Sequence, residues 1–170
     1  MSERKGVITF KGGPLTLIGP ELKVGDTAPN FKLLNNSLGE VTLDNFKGKT
    51  LLISVAPSLD TPVCSLQTQR FNKELPSLPA SVEVITVSAD LPFAQGRFCG
   101  AENIKMMTLS DHRDMAFGDA YGTHIKELRL DTRAIFVVGK DGKIKHVEIV
   151  KEVTEHPNYD AALAAAKANA

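Results

Sequence analysis

Residues 50–75 read TLLISVAPSLDTPVCSLQTQRFNKEL. The run TLLISVA (50–56) is apolar and rich in β-branched residues without alternation, the pattern of a strand buried on both faces of a central sheet. PSLDTPVC (57–64) then carries the chemistry of a helix start. Thr61 suits the N-cap, Pro62 the first helical position, where an amide would have no partner, and Cys64 the third. SLQTQRFNKEL (65–75) continues as helix, and VEVITVSA (82–89) is a second buried strand, so the stretch builds a β-α-β unit.

Outward from that unit, RAIFVVG (133–139) is a third apolar strand. KDGK makes a turn, and IKHVEIV (144–150) alternates as the hairpin partner of that strand. PFAQGRFC (92–99) and MAFGDAYG (115–122) are short helices, and the alanine-rich NYDAALAAAKANA forms a terminal one. Near the N-terminus VITF (7–10) and LTLI (15–18) flank KGGP, which predicts a small hairpin appended to the main sheet. A parallel crossover, an antiparallel hairpin and a closing helix predict an α/β thioredoxin-like fold, with a mixed central sheet, flanking helices and an added N-terminal β-hairpin. The pattern leaves the strand order open. No repeat or linker divides residues 1–170, so one domain is expected.

A chain of 170 residues can bury a sizeable core without disulfide staples. Lys plus Arg and Asp plus Glu number 20 each, which leaves no field to gather nucleic acid or an anionic membrane. The opening MSERKGVITFKGGPLTLIG starts charged and is broken by KGGP before a signal-peptide core or spanning helix can form, so a cytoplasmic protein is expected. Cys64 and Cys99 are too few for a disulfide scaffold and too far apart for a CxxC motif. His112, His124, His146 and His156 lack metal-ligand spacing, and neither metal nor cofactor is expected. DHRD (111–114) reads as a solvated loop, and HPN (156–158) as a turn before the last helix.

Helical spacing puts Thr68, Phe71 and Leu75 on the face of Cys64, so its sulfur should lie in a pocket. Free amides and the positive end of the helix favour a thiolate there. Burial opposes the charge, so activation needs those amides and a cation. Two readings remain at this level: a nucleophile, or a cysteine that fills space in a well-capped helix. Arg133 also allows two. At the start of its strand it can hold a thiolate, or pair at the surface with Asp131.

PSLDTPVC contains the pattern P-x-x-x-T-x-x-C. Together with SLQTQRFN, ITVSADLPFAQGRFCG, LDTRAIFVV and the hairpin VITFKGGPLTLIG, it resembles, in order and spacing, the thiol peroxidase subfamily of the peroxiredoxins, the atypical two-cysteine kind. The resemblance implies that Cys64 is the peroxidatic cysteine and Cys99 the resolving one. It makes Thr61 the hydroxyl that orients thiolate and peroxide, Pro57 the shield of the pocket and Arg133 the guanidinium that completes it. It also implies a hydroperoxide substrate, an intramolecular Cys64–Cys99 disulfide, thioredoxin as reductant and a homodimer. Three rivals have less to draw on. A cysteine hydrolase would need His112 or His124 near Cys64, a disulfide reductase would need CxxC, and a non-catalytic module makes no use of Thr61, Cys64 and Arg133 together. Because Cα atoms must come within ~7 Å to bridge, oxidation is expected to unwind both the helix start at Cys64 and PFAQGRFC.

Overall fold

A computed structural model describes all 170 residues. The chain runs β1 (Glu3–Phe10), β2 (Gly13–Ile18), β3 (Lys32–Leu34), β4 (Glu40–Thr42), β5 (Thr50–Val55), α1 (Pro62–Glu74), β6 (Val82–Ser88) and α2 (Pro92–Ala101). It continues with β7 (Met107–Ser110), α3 (Ala116–Tyr121), β8 (His124–Ile125), β9 (Leu130–Asp131), β10 (Ala134–Val138), β11 (Ile144–Ile149) and α4 (Tyr159–Ala168). The central sheet has seven strands in the order β11-β10-β5-β6-β7-β3-β4. β5, β6 and β7 are parallel neighbours, while β10 and β11 run antiparallel. This is the mixed sheet with flanking helices read from the sequence.

All six residues of β5 are buried, as its unbroken apolar run requires. Alternate residues of each strand feed two cores. Leu51, Ile53 and Val55 pack with Phe117, Tyr121 and Phe136 on one face. Leu52 packs with Ile135, Phe71 of α1 and Ala162 and Leu163 of α4 on the other. The crossovers from β5 to β6 and from β6 to β7 advance in one direction, which puts α1 and α2 on the same face. α4 closes that face, and its cap Asn158 accepts a 3.0 Å bond from the Ala161 amide, a contact typically contributing about 1 kcal/mol.

The N-terminal hairpin is longer than its apolar pattern. β1 and β2 extend into a separate four-stranded sheet with β8 and β9. Arg4 fastens it, donating to the carbonyls of Gly19 and Gly122 at 3.1 and 2.5 Å. Gly122 has φ +70°, and a Cβ there would run into the Pro20 carbonyl, so the approach needs glycine. β3, β4, β8 and β9 span two or three residues each, too short for a periodic signal. DHRD is not a solvated loop throughout, since Asp111 is 2% exposed and fixes the start of α3.

Candidate active site

The parallel strands β5 and β6 end at the same edge of the sheet, where loops of α/β proteins gather ligands. β10 runs the other way, and its register pairs Ala134 with Val55. Arg133 therefore enters at that edge too. It shares parity with Ile135, so its side chain turns to the face covered by α1.

Cys64, in the first turn of α1, is fully buried. Arg133 Nη2 donates to Cys64 Sγ at 3.4 Å. Its Nη1 donates to Gln67 Oε1 at 2.8 Å and its Nε to the Val153 carbonyl at 2.9 Å. The guanidinium is 2% exposed and bonds to no carboxylate. A buried cation needs a counter-charge, and Cys64 is the ionisable side chain that Arg133 touches. The pairing of Arg133 with Asp131 does not occur.

Asp131 is wholly buried and faces a different partner. It accepts from the Thr123 hydroxyl at 2.8 Å, its other oxygen has no hydrogen-bond partner, and the charge of Asp111 acts on it. Asp111 accepts from the Phe117 and Gly118 amides at 3.0 and 2.8 Å, which hold its carboxylate. Burial, and then the charge of Asp111, push the Asp131 carboxyl well above the usual range, and burial raises Asp111 as well. Sequence reading missed this pair, because twenty positions separate two acids that only the fold brings together.

Gln67 was also missed, since glutamine in a mixed helix reads as solvent-facing. It is fully buried one turn after Cys64, and its Nε2 donates to Ser54 Oγ at 2.7 Å and the Val55 carbonyl at 3.2 Å. Gln67 thus anchors Arg133 to the end of β5. Thr68 donates to the Cys64 carbonyl at 2.9 Å and lies on the buried face, as its spacing predicts.

Thr61 takes the N-cap position, but its hydroxyl does not cap the helix amides. It donates to the Ser58 carbonyl at 2.7 Å, leaving its lone pairs free to accept. The first-turn amides of Val63 and Cys64 have no backbone or side-chain acceptor, as the geometry of a helix N-terminus dictates. Pro57 is buried where β5 passes into this loop. Beside the loop a groove of about 420 Å³ opens between α1 and α2, lined by Leu59, Thr61 and Ser65 on one wall and Ala94, Arg97 and Phe98 on the other.

Cys99 stands apart. Both thiols are free, and Cys99 Sγ lies 3.5 Å from Thr108 Oγ1, which donates to Asn36 Oδ1 at 2.9 Å. Arg133 adjoins β10 and Thr108 belongs to β7, three strand positions away. At about 4.8 Å per strand, the two sulfurs are tethered to strands about 14 Å apart. The structure brings Cys64, Arg133 and Thr61 to one edge and leaves Cys99 outside.

His124 Nδ1 lies 2.8 Å from Asp119 Oδ1, engaged away from Cys64. No group of three or more His, Cys, Asp or Glu side chains is arranged to hold a metal. No helix is long and apolar enough to cross a membrane.

Comparison with known proteins gives the family. Residues 23–163 match the family model described as Redoxin. The thiol peroxidase of Bacillus subtilis is 59% identical over 162 residues, which cover 95% of this chain and 96% of that protein. The chain belongs to the Redoxin family, in its thiol peroxidase branch. A thiol peroxidase of Staphylococcus aureus is 52% identical to this Redoxin over 94% of the chain and 97% of its own length. The crystal structure of a peroxiredoxin-like protein from Aquifex aeolicus superposes with a TM-score of 0.91 at 40% identity, covering 97% of this chain and 98% of that one. Thiol peroxidase from Chromobacterium violaceum, at 21% identity and a TM-score of 0.79, shares the Redoxin fold.

Proposed function

We propose that this Redoxin is a peroxiredoxin-type peroxidase that reduces hydroperoxides through Cys64. The observation that carries the reading is the buried Arg133 guanidinium, 3.4 Å from Cys64 Sγ and bonded to no carboxylate. The thiolate it favours attacks the distal oxygen of ROOH in line with the O–O bond. That bond breaks, the leaving RO⁻ takes a proton to become alcohol or water, and Cys64 becomes a sulfenic acid. Arg133 and the Val63 and Cys64 amides stabilise charge developing on the oxygens. The Thr61 hydroxyl accepts from the peroxide O–H, and Pro57 closes the loop against water.

Cys99 then condenses with the sulfenic acid, forming an intramolecular disulfide and releasing water. Cys64 faces Arg133 beside β10 while Cys99 rests against Thr108 of β7, which supports a rearrangement of α1's first turn and α2 in this step. A dithiol resets the enzyme, and thioredoxin is the reductant proposed. Leu66, Leu91 and Phe93 on α1 and at the start of α2 are exposed at 52%, 51% and 67%, which supports pairing of two copies across this face. The balanced charge and the two cysteines per chain support a cytoplasmic setting.

Mixing reduced protein with one equivalent of hydroperoxide tests the reading. Peroxide and two thiols per chain should disappear together. Cys99→Ser should complete one turnover and then fail to cycle with thioredoxin. Cys64→Ser should spare the peroxide, and consumption at the parent rate by that variant would overturn the assignment.

A further inference from the structure

The loop from Pro57 to Thr61 carries the orienting hydroxyl of the proposed reaction, yet it belongs to no strand or helix. Its hydrogen bonds to residues outside the loop and α1 all end on one side chain, Asp90. Asp90 Oδ1 accepts from Ser58 Oγ at 2.7 Å. Its Oδ2 accepts from the Leu59 amide at 2.8 Å and from Ser88 Oγ at 2.7 Å. A carboxylate only accepts, so both serine hydroxyls are committed as donors and their orientations are fixed. Charge-assisted bonds of this kind are about twice as strong as neutral ones.

Asp90 is itself held firmly. Its carbonyl accepts from Ser110 Oγ at the end of β7. Ser88 accepts in turn from Gln95 Nε2 at 2.9 Å, and Gln95 is fully buried in α2. From this anchor a chain of bonds leads into the site. Asp90 holds Ser58, and the Ser58 carbonyl accepts both the Thr61 amide at 3.1 Å and the Thr61 hydroxyl at 2.7 Å. The hydroxyl that meets the peroxide is therefore set by a carboxylate from the crossover after β6.

We propose that Asp90 is a positioning residue for the peroxide step, holding Ser58 and Leu59 so that Thr61 keeps its lone pairs toward the reacting oxygens. The assignment rests on the peroxidase reading above. It acts on the loop and not on the thiol, because Arg133 is held by Gln67 and Val153 independently of Asp90. Two quantities that usually fall together should then separate. Peroxide reactivity depends on Asp90, whereas the ionisation of Cys64 does not.

The experiment measures, in reduced protein, the rate of Cys64 oxidation by hydrogen peroxide and the pH profile of Cys64 alkylation by iodoacetamide. Asp90→Ala should slow oxidation by about tenfold to hundredfold, the scale on which a loop displaced by an ångström acts. Asp90→Asn should recover most of the loss, because its oxygen still accepts from Leu59 and Ser88 while its NH₂ donates to Ser58 Oγ. Ser58→Ala, which removes one of the two loop bonds to Asp90 and leaves the Leu59 bond, should fall between them and carries the same comparison if Asp90→Ala does not fold. The alkylation profile should stay where it is in the parent for every variant. A folded Asp90→Ala or Ser58→Ala with the parent oxidation rate, or a slowed variant whose alkylation profile moves equally, overturns the assignment. A parent that spares peroxide sinks the underlying reading, whereas a reactive parent matched by its Asp90 variants sinks Asp90 alone.

Discussion

The two cysteines of this chain sit in opposite kinds of surroundings. Cys64 is fully buried, opens a helix and faces a guanidinium held on three sides. Cys99 is half-buried near the end of its helix and touches a neutral hydroxyl, Thr108, in a chain that ends on Asn36. A cation and free amides prepare one sulfur for charge, while the other is merely parked. On the proposed reading, chemistry with peroxide belongs to the first, and the second contributes by moving. That division of labour follows from what each sulfur touches more than from how exposed it is.

Arg133→Gln should break the contrast most deeply. Removing the cation leaves Cys64 buried without a charge partner, and the rate of its oxidation by peroxide should fall roughly a hundredfold to a thousandfold. Cys99 alkylation should be unchanged, and loss of reactivity at both thiols would point to general unfolding. Gln67→Ala acts one step back. It strips a partner from Arg133 and leaves Ser54 and Val55 facing a void, costing about 2 kcal/mol, read as a lower urea midpoint at unchanged slope.

Asp131→Asn probes the acid pair two residues before Arg133, a feature with no counterpart near Cys99. The folded carboxyl titrates above its unfolded value, so its contribution is fullest below the unfolded pKa and is lost as pH rises through the folded one. Asp111 faces it directly, with Asp119 further off and His124 paired to Asp119. Asparagine can still accept from Thr123 but does not titrate. Melting temperatures of parent and variant should be closest at about pH 4 and diverge in the variant's favour as pH rises, and parallel curves would contradict the raised titration of Asp131. The smallest effect is expected at Cys99. Thr108→Val removes its hydroxyl neighbour and should speed disulfide closure by roughly twofold to fivefold after the sulfenic acid forms, the scale of one weak hydrogen bond. Stopped-flow fluorescence or quenched thiol counts would register it.

How much of this was legible in the sequence follows from the range of each interaction. β5, α1 and β6 announce themselves through local periodicity, and helical spacing placed Cys64 in a pocket. Arg133 could be assigned to the site through its resemblance to family members, and the structure adds the reason, a shared parity with Ile135 on β10. Gln67, Asp90 and the Asp111–Asp131 pair were not legible. Each is a polar side chain whose meaning lies in a partner brought by the fold from another segment, and hydrophobic patterning is silent about such groups. Thr61 was read correctly in position and wrongly in bonding, because the Ser58 carbonyl lies closer to hand than the amides a cap would serve. The two-residue strands β8 and β9 exist only through pairing with the N-terminal hairpin and with each other, which no local window contains.

The most direct test of the division between a prepared sulfur and a mobile one is amide hydrogen exchange in reduced protein and after one equivalent of peroxide. Disulfide closure predicts that protection is lost in both residues 65–68, whose amides close the first turn of α1, and residues 96–101 on oxidation, while the β5 and β6 amides stay protected. Indistinguishable exchange across both segments in the two states would contradict it.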